Sequence, residues 1–191
     1  MKKLFILFVL ATGSFCANAQ TQFGIKGGVN LSTITGDGSE VFTSSIGFHA
    51  GGFAKFGIAK QFSIQTEAML SFEGAKFNVS GVSGNVSVTY LRLPVLAQYH
   101  AGSGFVLQSG PQIGLLLGAN SKVKNQSTEN IKDDLKSTDF SWVFGVGFMP
   151  EKGKAGVNLR YNLGLSNINS TAGPANRTSV WQIGTFIMLG K

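Results

Sequence analysis

Apolar and polar residues alternate one by one through eight stretches of the chain. In the clearest of them, Phe62, Ile64, Thr66, Ala68, Leu70 and Phe72 interleave with Gln61, Ser63, Gln65, Glu67, Met69 and Ser71. Period-two alternation sets one group on each face of a strand. The pattern predicts strands over Phe23–Leu31, Ile46–Ile58, Gln61–Glu73, Val88–Tyr99, Phe105–Leu117, Asp139–Met149, Ala155–Leu165 and Ser179–Leu189. The connections alternate too. Those through Gly36-Asp37-Gly38, residues 74–87 (with ragged strand extensions expected inside it), 118–138 and 166–178 are long, whereas Ala59-Lys60, Ala101-Gly102-Ser103 and residues 150–154 are short turns. Membrane barrels have an even strand number, short periplasmic turns and longer outer loops. The expected fold is all-β: an eight-stranded antiparallel up-and-down transmembrane β-barrel with short periplasmic turns and four longer extracellular loops.

The aromatic residues give a second pattern. With both termini periplasmic, Phe23, Phe56, Phe62, Tyr99, Phe105 and Phe148 fall near periplasmic strand ends, and Phe48, Phe72, Trp142 and Trp181 near outer ends. Two such bands are what the two membrane–water interfaces select. Tyr161 and Phe144 are the main outward aromatics between them.

The opposite faces carry Lys26, Asn30, His49, Lys55, Gln65, Glu67, Arg92, Gln98, Gln108, Gln112, Asn158, Arg160, Asn162 and Gln182. Such a set cannot be the core of a soluble sandwich, because buried charges need partners. It can line a narrow lumen, and eight strands enclose only enough space for side chains or one small ligand. The expectation is a filled interior in which Glu67 and Glu73 pair with some of Arg92, Arg160, Lys55 and Lys26. Anion binding by Arg92 and Arg160 is the sharper alternative. His49 and His100 lie apart and lack the acidic partner that a metal site or a serine–histidine–acid set requires. Gly145 and Gly147 sit inside a strand with no helix after them. They suit barrel bending or close packing rather than a dinucleotide loop. No catalytic, cofactor or metal residue is expected.

Composition adds an address. Lys2 and Lys3, the apolar run Leu4–Ala11 and Ala17-Asn18-Ala19 form a secretory signal ending before Gln20. Its apolar run is shorter than the roughly 20 residues that cross a bilayer. The expected organisation is a cleaved signal over residues 1–19 and an outer-membrane barrel domain over 20–191. The single cysteine, Cys16, leaves with the signal, so neither a disulfide nor thiolate chemistry is available. The net charge of +7 falls by two with Lys2 and Lys3, and the remaining cations are scattered. Outer-membrane lipid and lipopolysaccharide are the expected neighbours, and nucleic acid is not.

Strand four reads Tyr90-Leu91-Arg92-Leu93-Pro94-Val95-Leu96 with Gln98-Tyr99 after it, and strand five contains Gly110-Pro111. Strand seven reads Arg160-Tyr161-Asn162-Leu163-Gly164-Leu165-Ser166-Asn167-Ile168, and the first strand Gly24-Ile25-Lys26-Gly27-Gly28-Val29-Asn30. In this order the segments resemble the PorT-like outer membrane β-barrel family of Bacteroidota, over nearly all of the mature chain. The resemblance implies a barrel of the bacterial outer membrane, inserted by the assembly machinery, with no enzymatic activity and no cofactor. It does not name an extracellular partner. Pro94 cannot donate to a ladder, so a bulge or kink is expected beside it. The ending Leu189-Gly190-Lys191 departs from the terminal aromatic common in such barrels.

The leading functional expectation is a non-enzymatic barrel with a structural or surface-interaction role. A narrow porin or transporter is the alternative. A soluble lipocalin-like barrel for an apolar ligand would need the two faces exchanged.

Overall fold

In the computed structural model, the residues described are 21–37, 39–79, 81–124, 127–150, 153–170 and 175–189. The expected signal over 1–19, Gly38, Glu151-Lys152 and the final Gly190-Lys191 lie outside them.

The alternating segments form β1 (Thr21–Gly36), β2 (Phe42–Ala59), β3 (Phe62–Val79), β4 (Val82–His100), β5 (Phe105–Val123), β7 (Thr138–Phe148), β8 (Ala155–Gly164) and β9 (Asn176–Met188), with a short β6 (Thr128–Asn130) in the connection after β5. Each barrel strand pairs antiparallel with its chain neighbour, and β9 returns to β1, so the ring of eight is closed. Among the described residues, β6 pairs only with β5. Closure requires stagger, and the register supplies it. A row of paired residues starting at Thr21 passes Phe56, Ile64, Ala97, Ser109, Phe144, Tyr161 and Trp181. It rejoins β1 at Leu31, ten residues farther along. A stagger of this size tilts the strands by about 40° to the barrel axis.

The two faces differ sharply. Ile46, Ile183 and Phe48 are 78%, 63% and 59% exposed, whereas Arg92, Arg160 and Glu67 are 1%, 2% and 5% exposed. The apolar side thus looks outward around the ring and the polar side fills the interior, the reverse of a soluble barrel. At one end, here the turn end, the connections are residues 60–61, 101–104 and 149–154. At the other, the loop end, they are 37–41, 80–81, 124–137 and 165–175.

Three expectations are corrected. The strand extensions expected within 74–87 leave no long loop there, because β3 and β4 continue regularly to a two-residue connection at which Gly81 has φ +85°. Alternation does persist there, with Ala75, Val86 and Val88 against Lys76, Asn85 and Ser87. Gly74 and Gly84 disguise it. Gly84 stands opposite Phe77, whose ring occupies the space a side chain on Gly84 would need. The same inward Gly–Phe pairing joins Gly24 to Phe53 and Gly156 to Phe186.

No bulge forms at Pro94. Its register with β3 and β5 is unchanged, although β3–β4 pairing lapses between Thr66–Val95 and Met69–Arg92. The irregularity is higher up, where Thr89 pairs Gly118 but Tyr90 pairs Leu116, leaving Leu117 as the extra residue of β5. The strands also run farther than expected, with β1 reaching Gly36 and β5 reaching Val123.

Candidate functional site

The interior side chains form two charged layers joined by a polar middle. Nearer the turn end, Glu67 of β3 sits between two cations. Arg160 of β8 donates to it through both terminal nitrogens, at 2.6 and 2.8 Å. Lys26 Nζ of β1 lies 3.2 Å from Oε2. Gln65 donates to Glu67 at 2.6 Å, and Gln108 accepts from Arg160 at 2.8 Å.

Nearer the loop end the arrangement is inverted. Arg92 of β4 sits between two carboxylates, donating to Glu73 through Nε at 3.0 Å and Nη2 at 2.6 Å, and to Asp139 of β7 through Nη1. Its guanidinium also lies 4.1 Å over the Tyr90 ring, a cation–π contact. Asp139 accepts further bonds from Ser166 at 2.9 Å and Thr178 at 3.1 Å, which ties the β8–β9 connection and β9 to the layer.

Between the layers, Asn30 is the hub. Its Nδ2 donates to Ser71 Oγ and the Phe48 and Phe72 carbonyls, and its Oδ1 accepts from Gln182 at 3.1 Å. His49 Nδ1 lies 2.7 Å from the same oxygen, which makes that nitrogen the donor. His49 Nε2, Gln182 Oε1, both amide atoms of Asn162 and Asn158 Oδ1 are buried without a partner among the described residues.

Glycines give the arginines room. A methyl group on Gly114 would lie 2.4 Å from Arg92 Nη1, and one on Gly145 would lie 2.8 Å from Arg160 Cγ. The close-packing role considered for Gly145 thus acts on a lumenal arginine.

Of the six charged residues singled out in the sequence, the structure brings five into these two layers. Lys55 stays apart: among the described residues it has no carboxylate within salt-bridge distance. It lines a small turn-end cavity of about 40 Å³ with Lys26, His100 and Arg160. Asp139 was missed. Its signal was present, since Asp139 opens a predicted strand in which Asp139, Ser141 and Val143 alternate with Phe140, Trp142 and Phe144, but its place among the lumenal charges depends on a distant partner.

The loop end is covered. In the β5–β7 connection, Ile131 and Leu135 pack, with Val86, against the cluster of Val88, Tyr90, Leu116 and Ala119. Lys136 N–H donates to the Ile168 carbonyl at 2.8 Å and Ser170 N–H to that of Asp134 at 3.0 Å, so the two longest connections clasp each other. Beneath them lies a cavity of about 150 Å³ with Tyr90, Ile131, Leu135 and Ile168 on its walls and Glu73 and Thr178 beside them.

Outside, the ten aromatic positions are all exposed except half-buried Phe56. Phe62 meets Tyr99 with ring centroids 5.1 Å apart, and Phe105 meets Phe148 at 5.0 Å, both near the turn end. Phe48 meets Phe72 at 4.5 Å nearer the loop end, and Trp181 meets Tyr161 at 4.8 Å. Polar atoms on this face have partners, Trp142 Nε1 on Ser109 and the Tyr161 hydroxyl on Ser179. Phe62 and Phe72 are ten residues apart on β3, roughly 25 Å along the axis of a barrel tilted in this way, which is the height of a membrane barrel's apolar band.

Solved barrels share this architecture. The attachment invasion locus protein Ail of Yersinia pestis, crystallised with the heparin analogue sucrose octasulfate, superposes with a TM-score of 0.51 at 13% identity, covering 88% of this chain and 99% of that one. Neisserial surface protein A superposes with a TM-score of 0.53 at 12% identity, covering 86% and 96%. At such identities the likeness concerns the fold alone. No curated protein sequence matches the chain. Residues 18–170 do match the family described as outer membrane protein beta-barrel domain. The chain therefore belongs to that family, and it is an outer-membrane β-barrel protein.

Proposed function

We propose that this protein is a closed, non-enzymatic barrel that acts as a scaffold, holding a fixed surface at its loop end for partners outside the cell. The observation that carries this reading is the interior. Glu67 links β1, β3 and β8, and Arg92 links β3, β4 and β7, so charged side chains cross the lumen at two heights. The loop end, tied down by its own hydrogen bonds, is a platform rather than a free coil. Ail, named for attachment, and Neisserial surface protein A offer a precedent for barrels of this size working at the surface.

In this reading the aromatic bands anchor the barrel at the two interfaces, and outer-membrane lipid and lipopolysaccharide surround it. Residues 1–19 are the cleaved export signal, assembly machinery inserts the mature chain, and the resemblance of its strand motifs supports membership of the PorT-like branch. Mass analysis of the mature protein tests the first point, with Gln20 expected at its start.

Single-channel recording in planar bilayers tests the closed lumen. Baseline current is expected from the parent, and steady ion-sized openings would overturn the reading. A second reading, a narrow pore, has one observation in its favour: unpartnered polar atoms of His49, Gln182 and Asn162 lie between a cavity at each end. The same recording decides between the two.

A further inference from the structure

Above the loop-end aromatic band, β3, β4 and β5 continue as an extension of the barrel wall. Lys76, Asn85 and Lys122 stand side by side across these strands, and Thr128 of β6 completes the row. Lys76 shares the outward face of β3 with Leu70 and Phe72. Four residues past Phe72, it stands roughly 10 Å beyond the aromatic band, and Lys122 and Lys124 stand farther out.

The bulge at Leu117 is what turns those two lysines outward. Below it the odd-numbered residues of β5 face out, as exposed Ile113, Leu115 and Leu117 do. Above it Ala119 is 1% exposed and faces in, while Asn120, Lys122 and Lys124 are exposed. One extra residue exchanges the faces of a strand. Without it, two ammonium groups would point into the apolar cluster around Val88 and Leu116.

The face so made carries Lys76, Lys122 and Lys124 among Asn78, Asn85 and Asn120. Carboxylates are absent from it among the described residues, since Glu129, between Thr128 and Asn130, alternates to the other side of β6. None of the three lysine side chains has a hydrogen-bond or ion-pair partner among the described residues, Glu40 of the β1–β2 connection included. An outward face just above the apolar band meets whatever forms the outer leaflet's headgroup layer, and flexible ammonium groups about 10 Å apart across three strands suit phosphate oxygens.

We propose that this lysine face is a lateral binding site for the phosphorylated core of lipopolysaccharide in the surrounding leaflet. It rests on the outer-membrane placement and not on whether the lumen conducts, so conductance and lipid binding fail separately.

The test is titration of the folded full barrel in detergent micelles with phosphorylated rough-core lipopolysaccharide, with fold checked by the heat-dependent gel shift. A triple Lys76→Gln, Lys122→Gln, Lys124→Gln variant is expected to bind about a hundredfold more weakly, since each cation near such a surface contributes about fivefold. The corresponding arginine variant keeps the parent affinity. Dephosphorylated lipopolysaccharide binds the parent as weakly as the phosphorylated form binds the triple variant, and rising salt weakens only the parent complex. Equal binding by parent and triple variant overturns the proposal, as does indifference to phosphate. Tighter binding of soluble sucrose octasulfate than of lipopolysaccharide on these lysines overturns it too, by making the occupant a soluble sulfated sugar. Should the triple variant fail the gel shift, Lys122→Gln alone carries the test, with a severalfold loss expected and an unchanged affinity overturning the site.

Discussion

The two charged layers of the lumen are mirror images in composition. The turn-end layer holds one carboxylate between two cations, Glu67 with Lys26 and Arg160, and the loop-end layer holds one cation between two carboxylates, Arg92 with Glu73 and Asp139. Each layer alone carries an excess unit charge, of opposite sign, and the two cancel. In each triad, therefore, the central group is indispensable and a flanking group is not. Removing the centre leaves two like charges buried without compensation, while removing a flank leaves a matched pair. Breaking a buried ion pair costs about 3–5 kcal/mol because of the charge left behind, whereas the pair itself adds little over apolar packing.

This asymmetry can be broken experimentally by urea unfolding of the barrel in lipid vesicles. Arg92→Met should have the largest effect, about 3–5 kcal/mol, because it strands Glu73 and Asp139 together and loses the contact with Tyr90. Glu67→Gln should follow closely, leaving Lys26 and Arg160 facing each other, and a variant that unfolds like the parent would refute the role given to Glu67. Gly145→Ala should cost about 1–3 kcal/mol by overpacking, since the added methyl displaces Arg160 without removing a charge. Asp139→Asn should cost about 1–2 kcal/mol, because the amide still accepts from Ser166 or Thr178. Lys26→Met should be smallest, within about 1 kcal/mol, since Arg160 still neutralises Glu67 through two hydrogen bonds. A Lys26→Met cost matching that of Glu67→Gln would sink the distinction between centre and flank.

The same contrast explains what could be read before the structure. Period-two alternation is a property of single strands, so faces, strand count and the arginines and glutamates of the interior followed from it. Which charges meet depends on register and stagger, and these are not local. Glu67 and Arg160 are 93 positions apart and meet only because the ring closes with its particular offset. Asp139 was placed at the start of a strand but not among the lumenal charges, because its partner Arg92 lies 47 positions away. The β3–β4 extension was expected only as ragged strand, because Gly74 and Gly84 resemble breaks until Phe77 is seen to fill the space over Gly84. Pro94 misled in the opposite direction: the rigid residue left the register alone, and an ordinary leucine, Leu117, shifted it.

The return of β9 to β1 has a consequence for how the molecule comes into being. Seven of the eight seams join strands that follow one another along the chain, but the last joins residues 24–36 to 176–188. Its loop-closure cost is the largest of any pairing, and such long-range contacts slow folding. Asn30 holds that seam from inside, reaching Gln182 across 152 positions while already bonded to Ser71. Completion of the ring should therefore be the slowest event in assembly. Until then β1 and β9 each present an unpaired edge, and the interval before closure is when the chain is most exposed to pairing with another copy of itself.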